Sequence, residues 1–186
     1  PVLKRHIKKL DFELECAAVI GEEGRDISAS DADDFIVGFM IMNDFSARAL
    51  QMQEMKLNLG PAKGKDFGST FGPWLVTKDD IETYKQSSSD GDRYDLKMKA
   101  SVNGKQISED ILGNMTWTFA QIIERVSYGV NIFPGDIIGS GTCGTGCFLE
   151  LNGSKITDNQ WLSPGDTVSL EIEELGTLTN QIVLSE

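Results

Sequence analysis

The chain is poor in the residues that build most metal and disulfide sites. It has one histidine, His6, and three cysteines, Cys16, Cys143 and Cys147, in 186 residues. One histidine cannot build a histidine-rich zinc or iron site. An odd cysteine count without CxxC spacing supports neither a disulfide framework nor a zinc finger, and fits a reducing cytoplasm. Positive charge is also short. The 17 Lys+Arg against 29 Asp+Glu give a formal net charge of −12 at pH 7, which argues against nucleic acid or an anionic membrane as partner. No apolar run is long enough for a membrane-spanning helix, and no signal peptide is legible. The chain opens at Pro1 on the basic run KRHIKK, so it reads as the remainder of a longer protein.

Glycine, by contrast, is abundant, with 19 residues. Many short runs rich in β-formers end in turn signals, so the expected class is mainly β with a few helices (α+β), in one domain over residues 1–186. FIVGFMIMND reads as a buried strand ending at Asn43-Asp44, and PWLVT as another strand. The alternation in YDLKMKASVNGKQISE predicts a hairpin turning at Asn103-Gly104. Phe119, Ile122, Ile123 and Val126 recur at helical spacing within MTWTFAQIIERVSYG, with Gly129 as the stop. Ser30 or Asp31 is placed to cap a short helix through Asp34. Two PGD turns, at Pro134 and Pro164, each open a strand.

Against this apolar background three acidic positions stand out. Glu13 and Glu15 in LDFELECAAVIG fall on one face of a strand, roughly 7 Å apart from the rise per residue. Asp44 ends the apolar run that follows. Like charges this close to a core repel and are costly to desolvate. Either that face is open to water or a positive group lies between them. Three carboxylates suit a hard dication, but spacing leaves open whether they converge.

Five segments, in order, carry a resemblance: LDFELECAAVIG, GFMIMNDFSARALQ, GPAKGKDFGSTFGPWLVT, PGDIIGSGT and SPGDTVSLEIEELGTLTN. Together they resemble the fumarylacetoacetate hydrolase family, from about Leu10 to Asn180. GKDFGST and GTCGTGCFLE look more like its fumarylacetoacetase branch than its acylpyruvase branch. The resemblance implies a mixed β-sandwich roll of the fumarylacetoacetase C-terminal type, homodimeric, with a divalent metal held by Glu13, Glu15 and Asp44. Mg²⁺ is the first expectation, with Ca²⁺ or Mn²⁺ as alternatives. It also implies Lys65 as a catalytic group near the metal, Ser69 as a nearby hydroxyl, and Gln51 and Thr142 as substrate contacts. Glu150, which unaided reads as a strand glutamate, matches the glutamate that orients a catalytic histidine. Arg48 is expected to pair with a carboxylate.

The implied reaction is metal-dependent hydrolysis of a carbon–carbon bond in a β-diketo acid. Fumarylacetoacetate, giving fumarate and acetoacetate in phenylalanine and tyrosine breakdown, is the first substrate expected. Acylpyruvate hydrolysis, oxaloacetate decarboxylation and dicarbonyl isomerisation are alternatives on the same fold, and a non-catalytic metal-stabilised module is the rival of another class. The chain departs from the family at several points. The family's histidine base and a further acidic ligand come from a segment ahead of the ExE strand, and His6 lies too close to that strand to replace the base. Ala49 stands where relatives carry Asp after SAR, and Met55 where the nearest branch carries a substrate-binding tyrosine.

Overall fold

A computed structural model describes residues 7–184; His6 lies outside them. The described chain opens with β1 (Leu10–Asp11), β2 (Leu14–Ile20), β3 (Gly24–Arg25) and the one-turn helix α1 (Ala29–Ala32). Next come β4 (Ile36–Asp44), β5 (Ser46–Ala47) and α2 (Arg48–Glu54). A loop leads to β6 (Ser69–Thr77), the short β7 (Lys85–Gln86) and β8 (Arg93–Tyr94), and the hairpin of β9 (Lys97–Val102) with β10 (Lys105–Ile111). Helix α3 (Phe119–Val126), β11 (Asn131–Ile132), β12 (Ile137–Gly139), α4 (Phe148–Gly153), β13 (Thr167–Ile172) and β14 (Gly176–Gln181) complete it.

Two four-stranded antiparallel sheets dominate, in the orders β12-β2-β4-β6 and β10-β9-β13-β14. They pack together through β13 and β14 against β4 and β6. Phe39 and Ile41 from one sheet and Met98, Ala100, Leu170 and Ile172 from the other join one continuous apolar cluster. The α+β class expected from the sequence is therefore the class observed. Strand β2 is central and buried almost throughout, which explains why its apolar run is nearly unbroken rather than alternating. Phe12 is fully buried and meets Phe148 edge-on at 5.3 Å between ring centres. Burying one such side chain contributes about 1.5–3 kcal/mol. Among the described residues no helix is long and apolar enough to cross a membrane.

Local expectations fare unevenly. The hairpin turns where expected, with Asn103 and Gly104 both at positive φ (52° and 76°), as a two-residue turn of this hand requires. Both PGD glycines are also left-handed, and in each turn the Asp carboxylate accepts an N–H from three residues back, Phe133 or Ser163. Helix α3 spans the apolar spacing, from Phe119 to Val126, and Gly129 lies just beyond its end at positive φ (68°). Thr118 closes it with a reciprocal capping box to Gln121, so the preceding Met115–Trp117 stay outside. Neither Ser30 nor Asp31 caps α1. The helix begins after Ser28, whose hydroxyl bonds Ser30 and Asp31 side chains instead of a backbone N–H. The segment around Glu150 is the clearest correction, because FLELNG forms α4 rather than a strand. Its apolar Phe148 and Leu151 lie three apart and bury on one face.

Candidate metal centre

Strand pairing builds the site. Leu14 pairs with Asn43 across β2 and β4, and Asp44 pairs with Ser69 across β4 and β6. This register sets Glu13, Glu15 and Asp44 at one end of the sheet. One ligand oxygen from each lies within 4.8 Å of the other two. Glu13 and Glu15 are only 7% and 4% exposed, so the open-face alternative for the ExE strand is excluded. The positive group beside them is Lys65, which bridges Glu13 to Asp44 rather than Glu13 to Glu15. Its Nζ lies 2.6 Å from Glu13 Oε2 and 2.9 Å from Asp44 Oδ2. Ser69 Oγ donates to Asp44 Oδ1 at 3.1 Å, and the Glu13 N–H donates to Asn43 Oδ1 at 3.1 Å.

Two further features fix this cluster. Arg48 is buried, as expected of a carboxylate partner. Its Nε donates to Asp11 Oδ2 at 2.8 Å, and its Nη1 donates to Gln51 Oε1 at 3.0 Å. Its Nη2 lies 2.8 Å from Glu13 Oε1, an ion pair without the alignment of a hydrogen bond, so this nitrogen has no hydrogen-bond partner. The loop that carries Lys65 is held by Glu54 at the end of α2. The Glu54 carboxylate accepts the N–H groups of Ala62, Lys63 and Gly64 at 2.9, 2.7 and 3.1 Å. Gly64 fits there because an added Cβ would meet the Gln51 backbone at 2.8 Å.

The charges are unevenly balanced. Burial favours a neutral Glu13, but Lys65 and Arg48 outweigh it and hold that carboxyl below its usual range. Glu15 is pushed up to about 8, first by burial and then by the negative charges of Glu13 and Asp44. Its Oε2 accepts the Gly141 N–H at 3.1 Å, and a Cβ on Gly139 would sit 2.7 Å from that oxygen. Three converging hard-oxygen donors, two buried and one partly exposed, with Lys65 and Arg48 as their charge partners, make a donor set that fits a hard dication.

The remaining expected residues lie at different distances from this centre. Gln51, on α2, is tied to it through Arg48. Thr142 lies just beyond Gly141 and lines a cavity of about 370 Å³, with Asp110, Trp117 and Ile122 on its other walls. Glu150 is exposed on α4 and accepts the Thr145 N–H at 2.6 Å, so it orders the glycine loop rather than joining the carboxylates. Lys63, the neighbour of Lys65, is exposed and pairs with Asp66 at 2.6 Å. Asp11, Asn43 and Glu54 were not singled out from the sequence. Asp11 alone had a legible signal, a charge within an apolar run.

Comparison with known proteins follows the same lines. The family model described as fumarylacetoacetate (FAA) hydrolase C-terminal matches residues 2–183. A fumarylacetoacetase of Arabidopsis thaliana is 36% identical over 198 residues, covering 87% of this chain and 47% of its own length. The mitochondrial oxaloacetate tautomerase Fahd2a of Rattus norvegicus is 36% identical over 185 residues, covering 98% and 53%. The chain thus spans about half the length of these relatives. In fold it is similar to a fumarylpyruvate hydrolase of Pseudomonas aeruginosa solved with Mn²⁺ and pyruvate (TM-score 0.79, 21% identity, 100% of this chain and 69% of the other).

Proposed function

The chain belongs to the fumarylacetoacetate hydrolase family, and on that premise we propose that it forms the metal-holding part of an enzyme acting on a small β-dicarbonyl acid. The observation that carries this reading is the convergence of Glu13, Glu15 and Asp44 within 4.8 Å, with the Lys65 ammonium between two of them. Glu13, Glu15 and Asp44 would hold the metal, Mg²⁺ first among the hard dications. When bound, it supplies Lewis-acid polarisation of a 1,3-dicarbonyl and favours the enolate form.

The chain's own residues have distinct work in this reading. Lys65 Nζ is anchored by two carboxylates yet 18% exposed, which suits it to stabilise developing enolate charge or to move a proton at the carbon between the carbonyls. Ser69 holds Asp44 in orientation. The oxygen of Gln51 is taken by Arg48, leaving its Nε2 amide to donate to a substrate oxygen. Thr142 and the backbone of its glycine loop take the substrate carboxylate. Glu150 keeps that loop in place through Thr145.

Carbon–carbon hydrolysis, with fumarylacetoacetate as the first substrate, is the leading reaction. Keto–enol interconversion of a dicarbonyl acid is the second reading, favoured by the similarity to the oxaloacetate tautomerase. It needs a proton moved at one carbon, whereas hydrolysis also needs a base to activate water. A panel assay of the full-length protein with added Mg²⁺ or Mn²⁺ separates the two. Hydrolysis abolishes dicarbonyl absorbance and releases two acids, while tautomerisation changes enol absorbance with the skeleton intact. A protein that binds Mn²⁺ but turns over no dicarbonyl acid refutes the enzyme and leaves a metal-stabilised module.

A further inference from the structure

Asp11 is the most completely buried acidic side chain beside the site, with 0% exposure. Although burial pushes its carboxyl up, the Arg48 guanidinium and two backbone N–H groups oppose that shift. It bonds to none of the three converging carboxylates. Its Oδ2 accepts Arg48 Nε at 2.8 Å and the Leu149 N–H at 3.0 Å. Its Oδ1 accepts the Phe148 N–H at 2.8 Å and its own neighbour's, Phe12, at 3.0 Å. Both oxygens are fully occupied, so Asp11 has no capacity left for a ligand. What it does have is control over Arg48, the fork that reaches Glu13 with one nitrogen and Gln51 with another. The same carboxylate caps the first turn of α4, where Cys147 at the N-cap offers no side-chain bond.

We infer that Asp11 is a positioning residue that sets the strength of the metal site through Arg48 and fixes α4 relative to it. The inference rests on the reading of Glu13 as a metal ligand. Arg48 places a positive charge on a carboxylate that must bind a dication. Without a balancing anion that charge weakens the site, and an untethered guanidinium is drawn wholly onto Glu13. Asp11 supplies the anion and holds the fork at an angle that shares it with Gln51. Outer partners of this kind typically alter metal affinity by roughly 10–100-fold when removed.

The test is Mn²⁺ binding to the full-length protein, followed by electron paramagnetic resonance, with Asp11→Asn as the principal variant. Asn keeps an oxygen for the Phe12 and Phe148 N–H groups but turns an amide toward Arg48 and Leu149. A loss of about 10-fold or more in Mn²⁺ affinity is expected. The decisive readout is a double-mutant cycle with Arg48→Met. If Asp11 acts through Arg48, its substitution adds little once Arg48 is gone, whereas independent structural damage adds in full. Wild-type affinity in folded Asp11→Asn, or additive losses in the cycle, overturns the inference alone. No Mn²⁺ binding by the wild type overturns the metal reading and the inference with it. Should Asp11→Asn fail to fold, Arg48→Lys reads the same link, because it keeps the charge but lacks the fork that spans Asp11, Glu13 and Gln51. Unchanged Mn²⁺ affinity in that variant refutes the inference.

Discussion

Glu15→Gln should raise the stability of the metal-free protein at high pH while weakening its hold on a dication. In the fold Glu15 keeps its proton up to about 8, against a reference of 4.5, a difference of 8 − 4.5, or about 3.5 units. A carboxyl whose pKa is raised by folding favours the folded state while it is protonated. Its contribution is therefore complete below pH ~4.5 and lost as the pH climbs through ~8. At about 1.36 kcal/mol per unit the ceiling on that loss is about 5 kcal/mol. Gln has no proton to lose and retains an oxygen for the Gly141 N–H. In chelator-treated protein the variant and wild type should melt together near pH 5. Near pH 9 the variant should melt higher, by about 5–10 °C if half the ceiling is realised, at 2–4 °C per kcal/mol for a chain of this size. Added Mn²⁺ should reverse the order, raising the melting temperature of the wild type and leaving the variant nearly unmoved. Scanning calorimetry at the two pH values, with and without Mn²⁺, measures all of this. A stability difference that does not depend on pH, or a variant less stable at high pH, would falsify the charge accounting.

Three other substitutions probe neighbouring parts of the centre. Lys65→Met should lower kcat by 10²-fold or more, the scale of a lost acid–base group, while Mn²⁺ titration shows the metal still bound; near-normal turnover would return Lys65 to a structural role. Gly139→Ala pushes a methyl onto Glu15 Oε2, so Mn²⁺ affinity should fall about 10-fold, and an unchanged titration would show that Glu15 has room to move. Glu54→Gln removes the charge that gathers three backbone amides. It should reduce turnover with metal affinity largely intact, and accelerated amide exchange confined to residues 62–64 should accompany the change.

The site was more legible in the sequence than the connections that support it. Glu13, Glu15 and Asp44 stood out because each interrupts an apolar run, and a sheet turns such interruptions into a common face. Their convergence depends on the pairing of β2 with β4, and register between segments that distant is not written in either one alone. Lys65 had no local signal, since a lysine in a glycine-rich loop is ordinarily exposed; the resemblance alone pointed to it. Glu54, an ordinary surface acid by pattern, acquires its role only when the loop folds back onto α2. Glu150 was misplaced on a strand because FLEL also fits a strand alternation. Asp11 capping its first turn from 137 residues away is a contact that no local reading can supply.

Glu15 and Asp44 sit on β2 and β4, interior strands paired on both sides, and Glu13 immediately precedes β2 with its N–H held by the Asn43 side chain. Capture of an ion by such a frame is an act of addition, not of assembly. Association should accordingly be fast, carry little change in heat capacity and leave the amide spectrum of the sheet almost unaltered, in contrast to small zinc domains that fold only around their metal. The selectivity of the cage for ionic radius would then reside in the stiffness of a sheet, not in the compliance of a loop.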